Sequence, residues 1–522
     1  MVTQTLSTTL MGINALEVII EVDARQGLPG EHIIGLPDTV IRESKNRIKS
    51  AIKNAGFEYP LKQYTINLAP AEIPKEGPLF DLAIAVGILK VTQQLKQDIN
   101  GVLVGELSLD GHVKPVRGII AIGELIAASK HKTLILPKDN LEQAQLIPGI
   151  TLHPLTHLRD LKQPLSQTSS ATETQLPTPK YPRNLDYKYV KCQEHAKRAL
   201  EIAAAGHHNV LLVGPPGSGK SMLLKQLPSI LAPMNKQALI NTLKVHSIST
   251  KEGLPKKCPT LRPFRAPHHS VSMAGMIGGG TPSPMPGEIS LAHNGVLFLD
   301  EMAEFPRQIL ESLRQPLEDH QVTISRANIS LQYPAQFILA ATMNPCPCGY
   351  YKDPQTPCTC RSNEIQKYWK KISGPILDRI DMIIDVPRLL ASELENNTPD
   401  ETYHSSQMRK RIVQSQHIQH QRQGCINAHI TPQQLDEIAP IHKEDKPLLL
   451  HALDKGLMSM RSMANINKLA RSIADLNGHP EIKRQDILEA MQYRKSHYQN
   501  LHLPSPTYPS SHTPYPSQGP MI

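Results

Sequence analysis

Eight consecutive residues constrain this chain more than any other stretch: Gly214, Pro215, Pro216, Gly217, Ser218, Gly219, Lys220 and Ser221. An apolar run at 209–213 precedes them, and residues 222–227 have helical spacing behind them. Strand, glycine-rich turn and helix in that order are the setting of a phosphate-binding loop in an α/β fold. Glycines let backbone N–H groups close around phosphates without a Cβ in the way. Lys220 supplies a point charge to the β- and γ-phosphates, and the Ser221 hydroxyl can ligate Mg²⁺. An accidental glycine-rich turn is the competing reading, and the flanking strand and helix argue against it.

The 522 residues leave room for about three domains. Lys and Arg number 56 against 47 Asp and Glu, a net charge of +9, which permits a nucleic-acid partner without requiring one. One Trp and six Phe argue against an aromatic stacking platform for single strands. Apolar runs fall short of the ~20 residues of a membrane span. The N-terminal residues lack the basic and long apolar regions of a secretory leader, so a cytoplasmic location is expected. Seven Cys, four of them bunched between 346 and 360, read as reduced thiols or a metal site and not as a disulfide framework.

Residues 1–165 alternate β-branched strands, at 17–22 and 64–68, with helical stretches. The helix expected at 39–55 gathers Arg42, Lys45, Arg47, Lys49 and Lys53 on one side, either a solvated face or a nucleic-acid face. Residues 166–187 are a Gln-, Ser-, Thr- and Pro-rich linker. Residues 188–388 carry the nucleotide chemistry, 389–498 are helical and charged, and 499–522 form a Pro- and Ser-rich tail expected to be disordered.

The apolar run 296–299 ends in Asp300 and Glu301, which fits a buried strand projecting Asp300 toward Mg²⁺ while Glu301 polarises the attacking water. A further strand, 337–343, ends in Asn344, whose amide can bond the water or the γ-phosphate. A turn-forming Asn before Pro345 is the plainer reading. Arg379, between Asp378 and Asp381, is either an arginine finger reaching a neighbouring subunit's γ-phosphate or a surface ion pair.

Taken in order, these features resemble an AAA+ ATPase. The segments 262–269 (RPFRAPHH), 286–293 (PGEISLAH), 313–318 (LRQPLE) and 344–349 (NPCPCG) are similar to the magnesium-chelatase-like ComM/YifB family, and the resemblance covers nearly the whole chain. It implies an α/β AAA+ P-loop module with a helical lid, preceded by a Lon-protease-like α+β domain. It also implies an insert in the long interval between Lys220 and Asp300. The cofactors it implies are ATP and Mg²⁺, and the working unit is a homo-hexameric ring. Proteins of this type act as ATP-driven motors on single-stranded or branched DNA and promote branch migration in natural transformation. Related chelatase subunits instead drive metal insertion into a porphyrin, and a nucleotide-gated DNA scaffold is the remaining alternative. The resemblance carries Walker A onto Gly214 to Ser221, Walker B onto Asp300 and Glu301, sensor 1 onto Asn344 and the arginine finger onto Arg379. Arg461 stands where the sensor-2 arginine is expected, and Arg471 competes for that role. Cys192 departs from the family, which has Gly there.

Segments 74–78 and 105–116 are similar to the Lon catalytic domain. They put Leu79 at the nucleophilic Ser and Ile120 at the dyad Lys, and neither side chain can do that chemistry. Cys346, Cys348, Cys358 and Cys360 form two C-x-C pairs that suit a structural Zn²⁺ or remain free thiols. Adjacent His268 and His269 rarely bind one ion. A structural or DNA-contact role fits them better, with Lys256, Lys257, Arg262 and Arg265 beside them available to touch phosphates.

Overall fold

A computed structural model describes residues 2–169, 179–182, 184–249, 260–280, 284–326, 329–390, 392–393, 401–454 and 459–494. The linker 166–187 is described only in part, and Lys256, Lys257 and the tail 499–522 lie outside the described residues. The chain divides into two compact units. One comprises Met1–Asp186, Gln226–Leu299 and Ser312–Leu339; the other comprises Tyr187–Lys225, Asp300–Glu311 and Ala340–Ile522.

The first unit is built on an eight-stranded sheet. Strands β1 (Val2–Met11) and β2 (Asn14–Arg25) form an antiparallel hairpin that pairs Met11 with Asn14. β2 also pairs antiparallel with β4 (Gln63–Ala69), and β3 (Gly30–Ile34) closes that edge parallel to β4. Strict alternation sends Val18, Ile20, Val22, Tyr64, Ile66 and Leu68 to one face, all nearly or wholly buried. Two helices cover it. α1 (Thr39–Asn54) is amphipathic, with Ile41, Ile48 and Ile52 inward, and Asp38 caps it by accepting from the Ile41 N–H at 2.8 Å. α2 (Asp81–Val91) is apolar all round and lies in the core. The strands at 17–22 and 64–68 are thus present and longer than the sequence suggested, because pairing continues past the apolar runs.

A second apolar cluster in this unit joins Ile119, Ile120, Ile122 and Ile126 to Leu239, Ile240 and Leu243 of the helix Lys236–Ser249. An ion pair between Lys244 and Glu124 at 2.6 Å ties the same two segments. This packing is why residues 226–299, numbered within the expected ATPase core, group with the N-terminal region.

The centre of the second unit is the strand Val210–Val213, every residue of it fully buried. It runs parallel to Ile338–Met343 on one side and to Met382–Asp385 on the other, with Val213 opposite both Met343 and Asp385. Parallel strands bring their C-terminal ends to one edge, so the residues after Val213 and Met343 emerge side by side. The helices Glu194–Gly206, Ser405–Gln423, Met460–Leu476 and Arg484–Gln492 pack in the same unit. No helix among the described residues is long and apolar enough to cross a membrane.

Candidate active site

The loop after Val213 turns on glycine. Gly217 and Gly219 hold φ of 77° and 87°, a region that L side chains rarely enter. A Cβ on Gly214 would sit 2.1 Å from the Val386 carbonyl oxygen. The helix begins at Lys220 and runs to Lys225, two residues earlier than the apolar spacing indicated, so its N-terminus faces into the loop. Lys220 Nζ donates to the Gly214 and Pro215 carbonyls at 2.7 and 2.8 Å and lies 3.4 Å from Asn344 Oδ1. Burial lowers its pKa to about 8 against the pull of Asp300 and Glu301.

Asp300 is held from two sides. Ser221 Oγ donates to its Oδ1 at 2.7 Å and Thr342 Oγ1 donates to the same oxygen at 2.6 Å. The Thr342 hydroxyl also accepts from the Glu301 N–H at 2.9 Å. That bond accompanies a φ of 53° at Glu301, an uncommon conformation for a non-glycine residue. Glu301 itself is exposed. A serine hydroxyl and a carboxylate side by side at the start of the Lys220 helix are hard oxygen donors and suit Mg²⁺. Thr342 was not singled out from the sequence. Its only signal is its position two residues before Asn344, on the same side of a strand.

Asn209 donates its side-chain amide to the Arg379 carbonyl at 3.0 Å and its backbone N–H to Asp381 at 2.9 Å. Burial works against charge on Asp381, yet His208 and this N–H hold its carboxyl below the usual range. Arg379 Nη1 donates to the Pro375 carbonyl at 2.6 Å. Arg494 donates to the Ile380 carbonyl, and its Nη2 reaches Ser462 Oγ at 2.9 Å and the Asp378 carbonyl at 3.4 Å. It therefore links the Arg379 loop to the first turn of the helix that carries Arg461. Arg461 is exposed in that turn. Arg471 is only 2% exposed and gives its donors to Asp475, Pro480 and His479. Its guanidinium is committed to the fold of the helical region.

The four Cys come together. Sγ of Cys346 lies 3.3 Å from Cys348 and 3.7 Å from Cys358, Cys348 lies 3.5 Å from Cys358, and all four sulfurs, Cys360 included, fall within 4.8 Å of one another. Tetrahedral zinc with ~2.3 Å bonds needs sulfur separations of ~3.8 Å, so the donor set fits. Backbone N–H groups of Cys348 and Tyr351 point at Cys360 and Cys346 sulfurs, each at 3.3 Å. Burial raises the Cys348 pKa, but the N–H groups of Tyr350 and Thr359 outweigh it and bring the thiol down to about 6.

The candidate phosphate-contacting cations fare differently. Arg262 donates to the Ala232 and Asn294 carbonyls, and Arg265 makes a bidentate pair with Glu288 at 2.6 and 2.7 Å. Both are structural anchors, a correction to the expectation that they touch phosphates. Arg47 pairs with Asp81, Lys45 bonds the Glu31 carbonyl and Lys49 sits over the Tyr59 ring, which leaves Arg42 and Lys53 as the exposed members of that face. His268 bonds Ser270, and its ring lies against that of His269 at a tilt of 36°, with centroids 4.0 Å apart. Leu79 and Ile120 pack in one apolar cluster, and neither side chain carries a nucleophile or a titratable group. Cys192 and Gln193 both have positive φ, 53° and 61°, so Cys192 occupies a backbone position suited to glycine.

Several family models and known proteins are similar to this chain. Magnesium chelatase, subunit ChlI, matches residues 186–394; subunit ChlI of Mg-chelatase matches 20–140; and the ChlI C-terminal family matches 402–494. Competence protein ComM of Haemophilus influenzae is 42% identical over 499 residues, covering 94% of this chain and 96% of that protein. YifB of Escherichia coli is 39% identical over 499 residues, covering 94% and 97%. Lon protease 2 of Bacillus subtilis is 31% identical over 154 residues, covering 26% of this chain and 27% of that protein. The chain belongs to the magnesium-chelatase-like ComM/YifB family, with an AAA+ P-loop module, a helical lid and a Lon-like N-terminal region.

Proposed function

We propose that this member of an ATPase family is an ATP-hydrolysing, ring-forming DNA motor of the ComM type, working in the cytoplasm. The observation that carries hydrolysis is the hydrogen-bonded chain Ser221–Asp300–Thr342–Glu301, which sets a metal ligand and a free carboxylate beside the phosphate loop. The backbone N–H groups of Gly214 to Ser221 cradle the ATP phosphates, and Lys220 exchanges the Gly214 and Pro215 carbonyls for β- and γ-phosphate oxygens. Ser221 and Asp300 would hold Mg²⁺, which would supply positive charge beside those oxygens. Glu301 takes a proton from water as its oxygen attacks the γ-phosphorus, the bond to the β-bridging oxygen breaks, and ADP and phosphate leave. Asn344 orients the water. Arg379 of an adjacent subunit in a hexameric ring stabilises the transferred phosphoryl, and Arg461 of the lid reads the phosphates as sensor 2. Cys346, Cys348, Cys358 and Cys360 would hold Zn²⁺ as a structural ion.

DNA as the partner is supported by the 42%-identical relative, a competence protein, and by the net charge of +9. The test is the purified protein's ATPase with single-stranded and branched DNA. Stimulation by either, abolished in Lys220→Ala, is expected. No response to any DNA, with stimulation by a porphyrin or a protein, would replace this reading with the chelatase-type remodeller that the three family matches favour.

A further inference from the structure

The cysteine cluster touches the nucleotide site at two points. Cys346 follows Asn344 by two residues, so the cluster begins where the strand Ile338–Met343 delivers the amide that lies 3.4 Å from Lys220 Nζ. Its other end leads into the helix Ser362–Trp369. Trp369, 1% exposed, returns to donate its indole N–H to the Pro345 carbonyl at 3.0 Å. Both ends of the cysteine loop are therefore anchored at the residue after Asn344. Between them Gly349 turns with φ of 89° and lies flat on the phosphate loop: a Cβ there would be 2.6 Å from Pro216 Cδ and 2.8 Å from Cγ. Pro216 is the third residue of the loop whose backbone must hold phosphates. A loop with four separate thiols has many conformations, whereas one closed on a tetrahedral ion has few.

We infer that a zinc ion bound by Cys346, Cys348, Cys358 and Cys360 braces the phosphate loop through Gly349 on Pro216 and through the placement of Asn344, so that metal occupancy sets nucleotide affinity. The ion is a strut and takes no part in hydrolysis, since four thiolates leave it no open position. The inference rests on the zinc reading above, and its test separates the two.

Zinc content of the full chain is measured by elemental analysis. The affinity for a fluorescent ATP analogue is measured before and after stripping with a chelator that spares Mg²⁺. One zinc per chain is expected, with affinity falling roughly tenfold on stripping and returning when zinc is restored. Absence of zinc from the isolated protein, with no uptake on addition, overturns the zinc reading and the brace with it. Zinc present but nucleotide affinity unchanged on its removal overturns the brace alone. Circular dichroism shows whether the stripped chain stays folded. If it does not, Gly349→Val decides: it keeps all four thiols but forces the cluster off Pro216. Retained zinc with affinity reduced several-fold is the expected result. Retained zinc with wild-type affinity sinks the proposal.

Discussion

Two regions of this chain differ in chemistry: the cluster that holds Leu79 and Ile120, and the phosphate-loop site. Leu79 and Ile120 belong to one aliphatic cluster, and Leu79 also lines a cavity with Glu76, Glu106 and Arg117. Around Lys220, Asp300 and Thr342 the side chains are polar, bonded to one another, and set beside a backbone angle at Glu301 that costs free energy. Burial of a polar group is unfavourable unless every partner is supplied. Leu79 and Ile120 carry no polar atom that needs a partner, whereas Lys220, Asp300 and Thr342 each have theirs. On the function proposed above, the energy-consuming step belongs to the phosphate loop, and the Lon-like region serves as a scaffold.

The sharpest way to break this contrast is Glu301→Gln. Turnover should fall about a thousandfold with nucleotide still bound, read by phosphate release and analogue binding. Normal turnover would remove Glu301 as the base. Next, Leu79→Ser together with Ile120→Lys should give no peptidase activity and should destabilise the first unit by at least ~3 kcal/mol, measured by denaturant titration. Fluorogenic peptide cleavage by that variant would mean the cleft is still catalytically organised. Thr342→Val keeps the volume but removes the hydroxyl shared by Asp300 and Glu301, and kcat should fall roughly ten- to a hundredfold with little change in analogue affinity. If kcat holds, the hydroxyl only supports the strand.

Lys220 gives a pH test. With its ammonium brought down to about 8 by burial, phosphate meets a charged group below that pH and a neutral one above it. Affinity should be flat below pH 8 and then weaken by up to about tenfold per unit, with proton uptake visible by calorimetry in buffers of different ionisation enthalpy. The smallest effect is at Cys192. With φ of 53°, Cys192→Gly should relieve strain and raise stability by about 1 kcal/mol without altering hydrolysis.

Legibility in the sequence followed distance along the chain. The phosphate loop, the acidic pair, the strand-end Asn344 and the C-x-C pairs are local patterns, each readable because its chemistry needs neighbours at fixed spacing. Cys192 was also legible as a position meant for glycine. Partnerships across the chain were not. Arg265 with Glu288, Arg47 with Asp81 and Arg494 with the Ile380 carbonyl join residues from separate elements, so counting basic residues on a helix overstated the free positive surface. Thr342 stayed hidden because a threonine inside a β-branched run looks like any strand residue. The grouping of the helix Lys236–Ser249 with the N-terminal sheet region was hidden because its apolar face gives no clue to which core it completes.

Arg494 has a consequence for synthesis. It is nearly buried and supplies hydrogen bonds to the Ile380 and Asp378 carbonyls and to Ser462. A chain emerging from the ribosome N-terminus first finishes the segment around Arg379 only when this late arginine arrives. A chain stopped before Arg494 would therefore leave the Ile380 and Asp378 carbonyls without these partners and the Arg379 segment untied from the Ser462 turn.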